Sequence, residues 1–375
     1  MKLGDLISKA KVERCGDREL PVYSMTMHDG IVKQSGRFKK TIASKDTSNY
    51  KVVNPGQLVV GFPIDEGVIY IQGLEEPGIM SPAYNVWNVD ESRADLDYLE
   101  LALHSPQSMK YYRDQLRGTT ARRRSLTTDN LLALEIPLPS FEYQRQVVSA
   151  LTQIRSQEFR AKRFLELHDQ LVKSRFVEMF GDPVTNPHFE KTTIGNLANV
   201  SSGATPSRKK PEYYGGIIPW VKTGEVAAGN VTSTEEHITE EAIANSACHI
   251  LPRNTILVAM YGQGDTRGKA ALLMIEAATN QACAALEFND SILPEFALAH
   301  LRLCYEDLRS LSHGGNQKNL SLQIIKGYQL EVPPLALQQQ FADFVAQVDK
   351  SRFVVNQQLE QLNTLYDSLA QEYFG

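Results

Sequence analysis

The chain has 375 residues, of which 42% are hydrophobic and 22% charged, with a formal net charge of −5. At roughly 100–200 residues per domain, that length holds two or three domains of ordinary soluble composition. The acidic balance excludes a simple polyelectrolyte binder of DNA, whose domains are strongly basic.

The N-terminus, Met1-Lys2-Leu3-Gly4-Asp5-Leu6, has no apolar stretch of the kind that opens a secretory leader. No apolar run approaches the roughly 18 residues needed to span a bilayer. Short β runs follow, separated by Gly, Pro and Asn turns: Leu20-Pro21-Val22-Tyr23-Ser24, Val53-Asn54-Pro55-Gly56-Gln57-Leu58-Val59-Val60 and Ser81-Pro82-Ala83-Tyr84-Asn85-Val86. A helix is expected over 96–117. The basic residues gather locally, at Lys33, Arg37, Lys39 and Lys40 and at Arg122-Arg123-Arg124. A strand-like run, Leu134-Glu135-Ile136-Pro137-Leu138-Pro139, then ends in proline, which cannot continue a ladder and hands over to a helix.

The same order of features returns after residue 185. Ile194-Gly195-Asn196-Leu197 resembles Leu3-Gly4-Asp5-Leu6, and Ile218-Pro219-Trp220-Val221-Lys222 corresponds to the run at Leu20, with Val22 where the second copy has Trp220. Leu251-Pro252-Arg253-Asn254-Thr255-Ile256-Leu257-Val258 parallels the run at Val53, and Asn280-Gln281-Ala282-Cys283-Ala284-Ala285-Leu286 the run at Ser81. A helix over 294–311 follows. A third basic cluster is Arg208-Lys209-Lys210.

From residue 120 onward the duplication needs no gap. Residues 120–181 and 314–375 align at a constant offset (375 − 181 = 194), matching Pro139 with Pro333, Gln144 with Gln338, Phe159 with Phe353 and Phe180-Gly181 with Phe374-Gly375. Each copy carries apolar residues at alternating steps of three and four. In the second these are Phe341, Val345, Val348, Val355, Leu359, Leu362, Tyr366 and Leu369, interrupted by Arg352; in the first, Val147, Leu151, Ile154, Ala161, Leu165 and Val172, broken by Glu158, His168 and Arg175. Neither helix contains Gly or Pro, so each can run as a rod on the order of 50 Å. The stripe must be buried, either on the neighbouring globule or, the favoured reading, on its own duplicate. The expected fold is therefore α+β: two globular domains separated by two long helices that form an antiparallel intramolecular coiled coil with a pseudo-twofold axis.

Catalytic motifs are missing. Cys15, Cys248, Cys283 and Cys304 form no CxxC pair and read as reduced thiols of a cytosolic protein, so no metal site is expected. The stretch from Tyr261-Gly262-Gln263-Gly264 to Arg267-Gly268-Lys269-Ala270 imitates a phosphate-binding loop, but Gln263 and Ala270 stand where Walker spacing needs Gly and a hydroxyl. A hairpin turn is the better reading. No Asn/Asp-Pro-Pro-aromatic motif for adenine methylation is present, and the histidines lack HxxxH spacing.

These features together resemble the specificity subunit of type I restriction-modification systems. Ser125-Leu126-Thr127-Thr128-Asp129-Asn130-Leu131-Leu132 running into Glu135-Ile136-Pro137-Leu138-Pro139 looks like that family's central conserved region, and Asn316-Gln317-Lys318-Asn319-Leu320-Ser321 running into Val332-Pro333-Pro334 like its second copy. Ile218 to Val226 and Thr279-Asn280-Gln281-Ala282 look like target-recognition signatures. The resemblance implies a non-catalytic subunit with a first target recognition domain at 1–138, a central helix at 139–181, a second recognition domain at 182–332 and a C-terminal helix at 333–375. It also implies double-stranded DNA as partner, read as a bipartite asymmetric site, together with two modification (methyltransferase) subunits and restriction/translocase subunits. S-adenosylmethionine, ATP and Mg belong to those partners, and none of them to this chain. A cytoplasmic location and no membrane association are expected.

Specificity in such a reader comes from amide, hydroxyl and Arg groups at base edges, and affinity from Lys and Arg on phosphates. In the first domain the candidates are Ser24, Met25, His28, Lys33, Gln34, Arg37 and Lys39, with Arg122, Arg123 and Arg124 on phosphates. In the second they are Lys222, Thr223, Tyr261, Gln263, Arg267, Lys269, Asn316, Gln317 and Lys318, with Arg208, Lys209 and Lys210 as phosphate anchors. Two other classes compete: a nucleotide hydrolase using the Gly262–Lys269 loop, and a coiled-coil scaffold whose heads bind proteins. If the rods set half-site spacing, deleting one heptad from each, residues 155–161 and 349–355, shortens the unread spacer and leaves both half-sites unchanged. Methylome sequencing checks this, and altered half-sites would make the rods part of the reading surface.

Overall fold

A computed structural model describes residues 1–27, 29–34, 46–116, 126–262, 264–312 and 319–375. The chain divides into two compact units, Met1–Lys162 with Gln357–Gly375, and Arg163–Asn356. Both cuts fall inside the long helices, and at equivalent positions of the repeat, since Arg163 and Gln357 differ by 194.

The first unit holds strands β1 (Ile7–Lys9), β2 (Tyr23–Met25), β3 (Ile31–Lys33), β4 (Lys51–Val53), β5 (Leu58–Val60), β6 (Ile69–Ile71), β7 (Gly78–Met80) and β8 (Asn85–Val89). Helices α1 (Leu96–Leu103), α2 (Pro106–Gln115) and α3 (Thr128–Ala133) precede the 40-residue helix α4 (Phe141–Phe180). The second unit continues with β9 (Gly181–Asp182), β10 (Asn186–Pro187), β11 (Lys191–Thr193), α5 (Ile194–Leu197), β12 (Ala198–Ser202), β13 (Tyr214–Val221), α6 (Thr223–Ala228), β14 (Glu236–Ile238) and α7 (Glu240–Ala244). Then come β15 (Ile256–Ala259), β16 (Ala270–Leu272), β17 (Ala278–Thr279), β18 (Cys283–Phe288), α8 (Pro294–Leu303), α9 (Tyr305–Ser310), α10 (Leu322–Gly327), β19 (Gln329–Glu331) and the 40-residue α11 (Leu335–Phe374).

The two units share one plan. In the first, an antiparallel sheet runs β1-β8-β5-β6; in the second, its counterpart runs β12-β18-β15-β16. Val22 bridges Ile79 in parallel, as Trp220 in β13 pairs in parallel with Ala278 in β17, so the run at Leu20 does occupy the place of the Trp-bearing strand. The entry to each unit is duplicated as well. Leu3 donates its N–H to Leu134 O (2.7 Å), and Ile194 to Tyr328 O (2.8 Å). Gly4 and Gly195 make the close approach there: a Cβ on Gly4 would stand 3.0 Å from Leu132 Cβ, and one on Gly195 3.3 Å from Lys326 O.

Within each unit the long helices pair antiparallel. In the first, Tyr143 of α4 meets Tyr373 of α11 edge to face (6.2 Å), and further along Arg155 lies 3.8 Å over the Tyr366 ring. In the second, Asp169 pairs with Arg352, and Phe176 packs on Phe341 (5.4 Å). Every seam residue expected from the heptads is buried or half-buried, including Glu158 and His168. The helices also enter the heads: Val147, Leu151, Ala370 and Phe374 join the core of Leu3, Trp87 and Tyr98, while Phe176, Phe180 and Phe341 join that of Ile194, Leu286 and Phe296. The duplicated Phe at the end of each helix is thus a core residue, Phe180 fully buried and Phe374 at 1% exposure.

One difference separates the copies. Arg155 and Glu158 form an i,i+3 pair (3.0 Å) in α4, and their equivalents by the 194 offset in α11 are Asp349 and Arg352, the same pair with charges exchanged (3.6 Å). A buried charge is tolerated only when paired. The exchange lets Arg352 face Asp169, whereas a second α4 in that place would set Glu158 against Asp169. Pairing of unlike copies is thereby favoured. All four cysteines are buried and free, and burial pushes the Cys283 thiol up to about 12. Among the described residues no helix is long and apolar enough to cross a membrane.

The repeated glutamine has the same task twice. Gln144 is fully buried; its Nε2 donates to Pro139 O (2.9 Å) and Arg93 O (3.3 Å), and its Oε1 accepts from Asp95 N (2.8 Å), the N-cap of α1. Gln338, equally buried, donates to Pro333 O (2.8 Å) and Ser291 O (3.0 Å) and accepts from Leu293 N (2.8 Å), the N-cap of α8. Replacement by near-isosteric leucine leaves these backbone groups without partners, at about 1–3 kcal/mol each. Gln144→Leu and Gln338→Leu should each lower stability by about 3 kcal/mol in chemical denaturation; a loss under about 0.5 kcal/mol would show that the amide is not a fastener.

Candidate nucleic-acid interface

In the second unit, two motifs 58 residues apart in sequence (278 − 220) meet in space. Trp220 and Val221 of β13 pair with Ala278 and Thr279 of β17. Trp220 is buried and donates Nε1–H to Ala204 O (3.1 Å), so it is a core residue supporting the strand end rather than a reading group. Asn280 donates its N–H to Val221 O (3.0 Å) and its side chain accepts from Ala282 N (3.0 Å), which shapes the turn beside it.

Lys222 and Thr223 sit where β13 becomes α6. Glu225 accepts the Lys222 N–H (2.6 Å) and the Glu235 N–H (2.8 Å), closing the helix start. The Lys222 ammonium reaches Glu235 (2.8 Å) and Glu236 (3.1 Å). Arg208 takes the other oxygen of Glu236 (2.7 Å), with its guanidinium 4.2 Å over the Tyr214 ring and 5.3 Å over Trp220. The Arg208 hydrogen bond, joined by that of Lys222, holds the Glu236 carboxyl below the ordinary carboxylate range. Two candidate cations therefore share one carboxylate and are fixed in place by it. Lys210 donates to Tyr213 Oη (2.8 Å), and Lys209 is exposed.

The Walker-like stretch is a hairpin. Strands β15 and β16 pair antiparallel from Ile256↔Leu272 to Val258↔Ala270, so the chain returns as a strand where a phosphate loop would begin a helix. Tyr261 is exposed, Arg267 is half-buried, and Lys269 pairs with Asp265 (2.7 Å). A shallow cavity of about 280 Å³ places Lys269 beside Ala227 and Gly229, next to the end of the helix that Thr223 begins.

In the first unit, Ser24 and Met25 lie on β2 and Lys33 on β3, joined as a hairpin with Ser24 opposite Val32. Gln34 donates Nε2–H to Ser24 Oγ (2.7 Å), while its buried Oε1 has no partner among the described residues. Lys33 pairs with Glu76, and Met25 packs half-buried on the core of Tyr23 and Tyr70. The structure brings these four candidates together. His28, Arg37, Lys39, Arg122, Arg123, Arg124, Gln263, Asn316, Gln317 and Lys318 lie outside the described residues.

Sequence reading missed the carboxylates. Glu76, Glu235, Glu236 and Asp265 hold Lys33, Lys222, Arg208 and Lys269, and only strand pairing over long sequence distances makes three of those four contacts. An acidic residue four positions before Lys269 was the one local signal.

Residues 186–364 match the family described as type I restriction modification DNA specificity domain. The chain is 25% identical over 194 residues to the type I restriction enzyme EcoR124I/EcoR124II specificity subunit of Escherichia coli, covering 51% of this chain and 46% of that protein. It is 26% identical over 186 residues to the type I restriction enzyme MjaIX specificity subunit of Methanocaldococcus jannaschii, covering 48% and 41%. The chain thus spans less than half the length of these curated relatives. Among solved structures, the S subunit of a type I restriction-modification system from M. genitalium superposes with a TM-score of 0.59 at 16% identity, over 100% of this chain and 95% of that one. A chain solved in connection with complex assembly and conformational transition of the type I R-M system gives 0.60 at 15% identity, over 100% and 96%. At such identities the likeness is one of fold, and it extends over the whole chain.

Removing the shared carboxylate tests the cation pair directly. Glu236→Gln should raise affinity for a random duplex roughly threefold to tenfold at low salt, and Arg208→Ala should lower it by a similar factor. Salt titration of binding reads both, and unchanged affinity in the two variants would remove this cluster from the interface.

Proposed function

We propose that this chain, which carries the DNA specificity domain of type I restriction-modification systems, gives its complex a sequence preference by reading a bipartite, asymmetric site. Residues 1–138 and 182–332 are the two target recognition domains, one for each half-site. The single observation that supports this most is the shared plan of the units. The family match covers residues 186–364, and the first unit repeats that domain's four-stranded sheet and parallel bridge. Two domains of one design with different side chains at the β13–α6 junction and at its counterpart are suited to two different half-sites.

The chain acts without catalysing a reaction. Adenine methylation with S-adenosylmethionine belongs to two modification subunits, and ATP and Mg to restriction/translocase subunits, all in the cytoplasm. The long helices supply a surface for the modification subunits. Phe159 and Phe353, equivalent by the 194 offset, are 72% and 63% exposed, and Leu171 and Leu365 are 48% and 47% exposed. Apolar residues that recur in both copies yet stay out of the seam favour a partner's apolar face. Recurrence at equivalent positions offers one such surface per copy.

Recognition energy is then divided. The acidic chain supplies base contacts, and the modification subunits complete the electrostatic grip on the duplex. The isolated chain should bind its site weakly, and the assembly with the modification subunit tightly and selectively, as read by bandshift and by methylome sequencing of a host carrying both genes. Equal specific affinity from the chain alone would overturn this division. Phe159→Asp with Phe353→Asp should abolish co-purification of the modification subunit and leave thermal stability unchanged.

A further inference from the structure

The glycine-rich part of the hairpin loop, residues 264–268, is held from outside. Gly262, Gly264 and Gly268 have φ of 148°, 60° and 89°, conformations that side-chain-bearing residues rarely adopt. Three such glycines in seven residues leave the free loop with a large conformational entropy. The β15–β16 ladder reaches only Gly268, whose N–H donates to Ala259 O (2.8 Å). Beyond that point the loop closes on itself through Lys269 N–H to Thr266 O (3.2 Å) and the Lys269–Asp265 pair (2.7 Å), and α9 fastens it from outside. Tyr305 Oη donates to Asp265 O (2.6 Å), and Arg309 Nη1 donates to Arg267 O (3.2 Å) and to Tyr305 Oη (2.7 Å). Arg309 Nη2 donates to Gly264 O, and the Tyr305 ring packs on Gly268, where a Cβ would stand 3.5 Å away.

Three loop carbonyls, at 264, 265 and 267, are therefore bound by one Tyr–Arg pair. The planar guanidinium of Arg309 reaches Gly264 O, Arg267 O and the Tyr305 hydroxyl together, its donors diverging from a rigid fork. The carbonyls are turned inward by these bonds, and the Tyr261 side chain stays exposed. A cation that sequence composition would count toward DNA contact is thus engaged with the protein backbone.

We propose that Tyr305 and Arg309 are positioning residues for sequence recognition: they hold residues 264–268 in one conformation and so set discrimination at the half-site read by the second domain, without touching DNA. This rests on the reading of that domain as a DNA reader. A preorganised loop loses less entropy on binding and penalises a mismatched base more, since it cannot rearrange to suit it.

The test uses the complete chain assembled with its modification subunits, as wild type, Tyr305→Phe and Arg309→Lys. Tyr305→Phe keeps the ring on Gly268 and removes the hydroxyl; Arg309→Lys keeps the charge and removes the fork. Selection from a randomised duplex pool should show each variant losing about tenfold in discrimination at the second half-site, the effect of about 1.4 kcal/mol. The first half-site, the melting temperature and the salt dependence of non-specific binding should be unchanged. Retained discrimination in both variants overturns the proposal. So does a loss shared by both half-sites, which marks a folding defect, and so does a lower salt slope in a variant with its charge removed, Arg309→Met, which marks a phosphate contact. A wild-type assembly whose selected site is indifferent to exchange of residues 182–332 would instead overturn the functional reading itself.

Discussion

In each globular unit the long helix that starts there is fastened to the head by one buried amide. A glutamine side chain placed in an apolar core costs several kcal/mol unless both its ends are satisfied. At Gln144 and Gln338 both are, by the proline-run carbonyl that precedes the helix, by a loop carbonyl of the head, and by the N–H that opens the head's first long helix. The amide therefore fastens the helix start and the proline run just before it to a head helix that lies about 50 residues away in sequence. Around it the apolar residues of both helices fill the head cores, so the seam and the heads are parts of one packing problem.

Given that fastening, antiparallel pairing follows. A helix that starts in one core has to end in a different one, and the duplicate supplies a partner with the same spacing of apolar residues. Two identical helices would pair equally well with themselves. The exchanged charges at Arg155/Glu158 and Asp349/Arg352 remove that degeneracy, since a buried carboxylate next to another is costly while Arg352 beside Asp169 is not. The stability of the seam resides in the apolar residues, and its choice of partner in the few polar ones.

The recognition region follows a different economy. Its cations are held by carboxylates and aromatic rings: Arg208 by Glu236, Tyr214 and Trp220, Lys222 by Glu235 and Glu236, Lys269 by Asp265. Such pairs are exposed enough to open for a phosphate, yet they fix side-chain direction beforehand. The glycine-rich hairpin is treated likewise, its carbonyls bound by Tyr305 and Arg309. In the proposed reading, an acidic chain with pre-aimed cations relies on geometry for selectivity and on partners for bulk attraction. The Trp of the Ile-Pro-Trp run, which reads in sequence as part of a recognition signature, serves this arrangement from within the core.

The duplication, the heptad seam, the strand runs and the hairpin in place of a phosphate loop were all legible in the residues, because each is written in local spacing: a fixed offset, steps of three and four, an alanine where a hydroxyl would be needed. The identity of Gln144 with Gln338 was visible too, but its meaning was not, since the carbonyls it meets lie 51 and 47 residues away along the chain. The same holds for Glu236, which reaches Arg208 across 28 residues through the pairing of β13 with β14. Periodicity determines which face of an element is apolar, and so the sequence by itself determined the elements and their repetition. Which charge meets which carboxylate, and which helix binds which loop, depends on contacts between residues distant in sequence, and only the tertiary structure decided them.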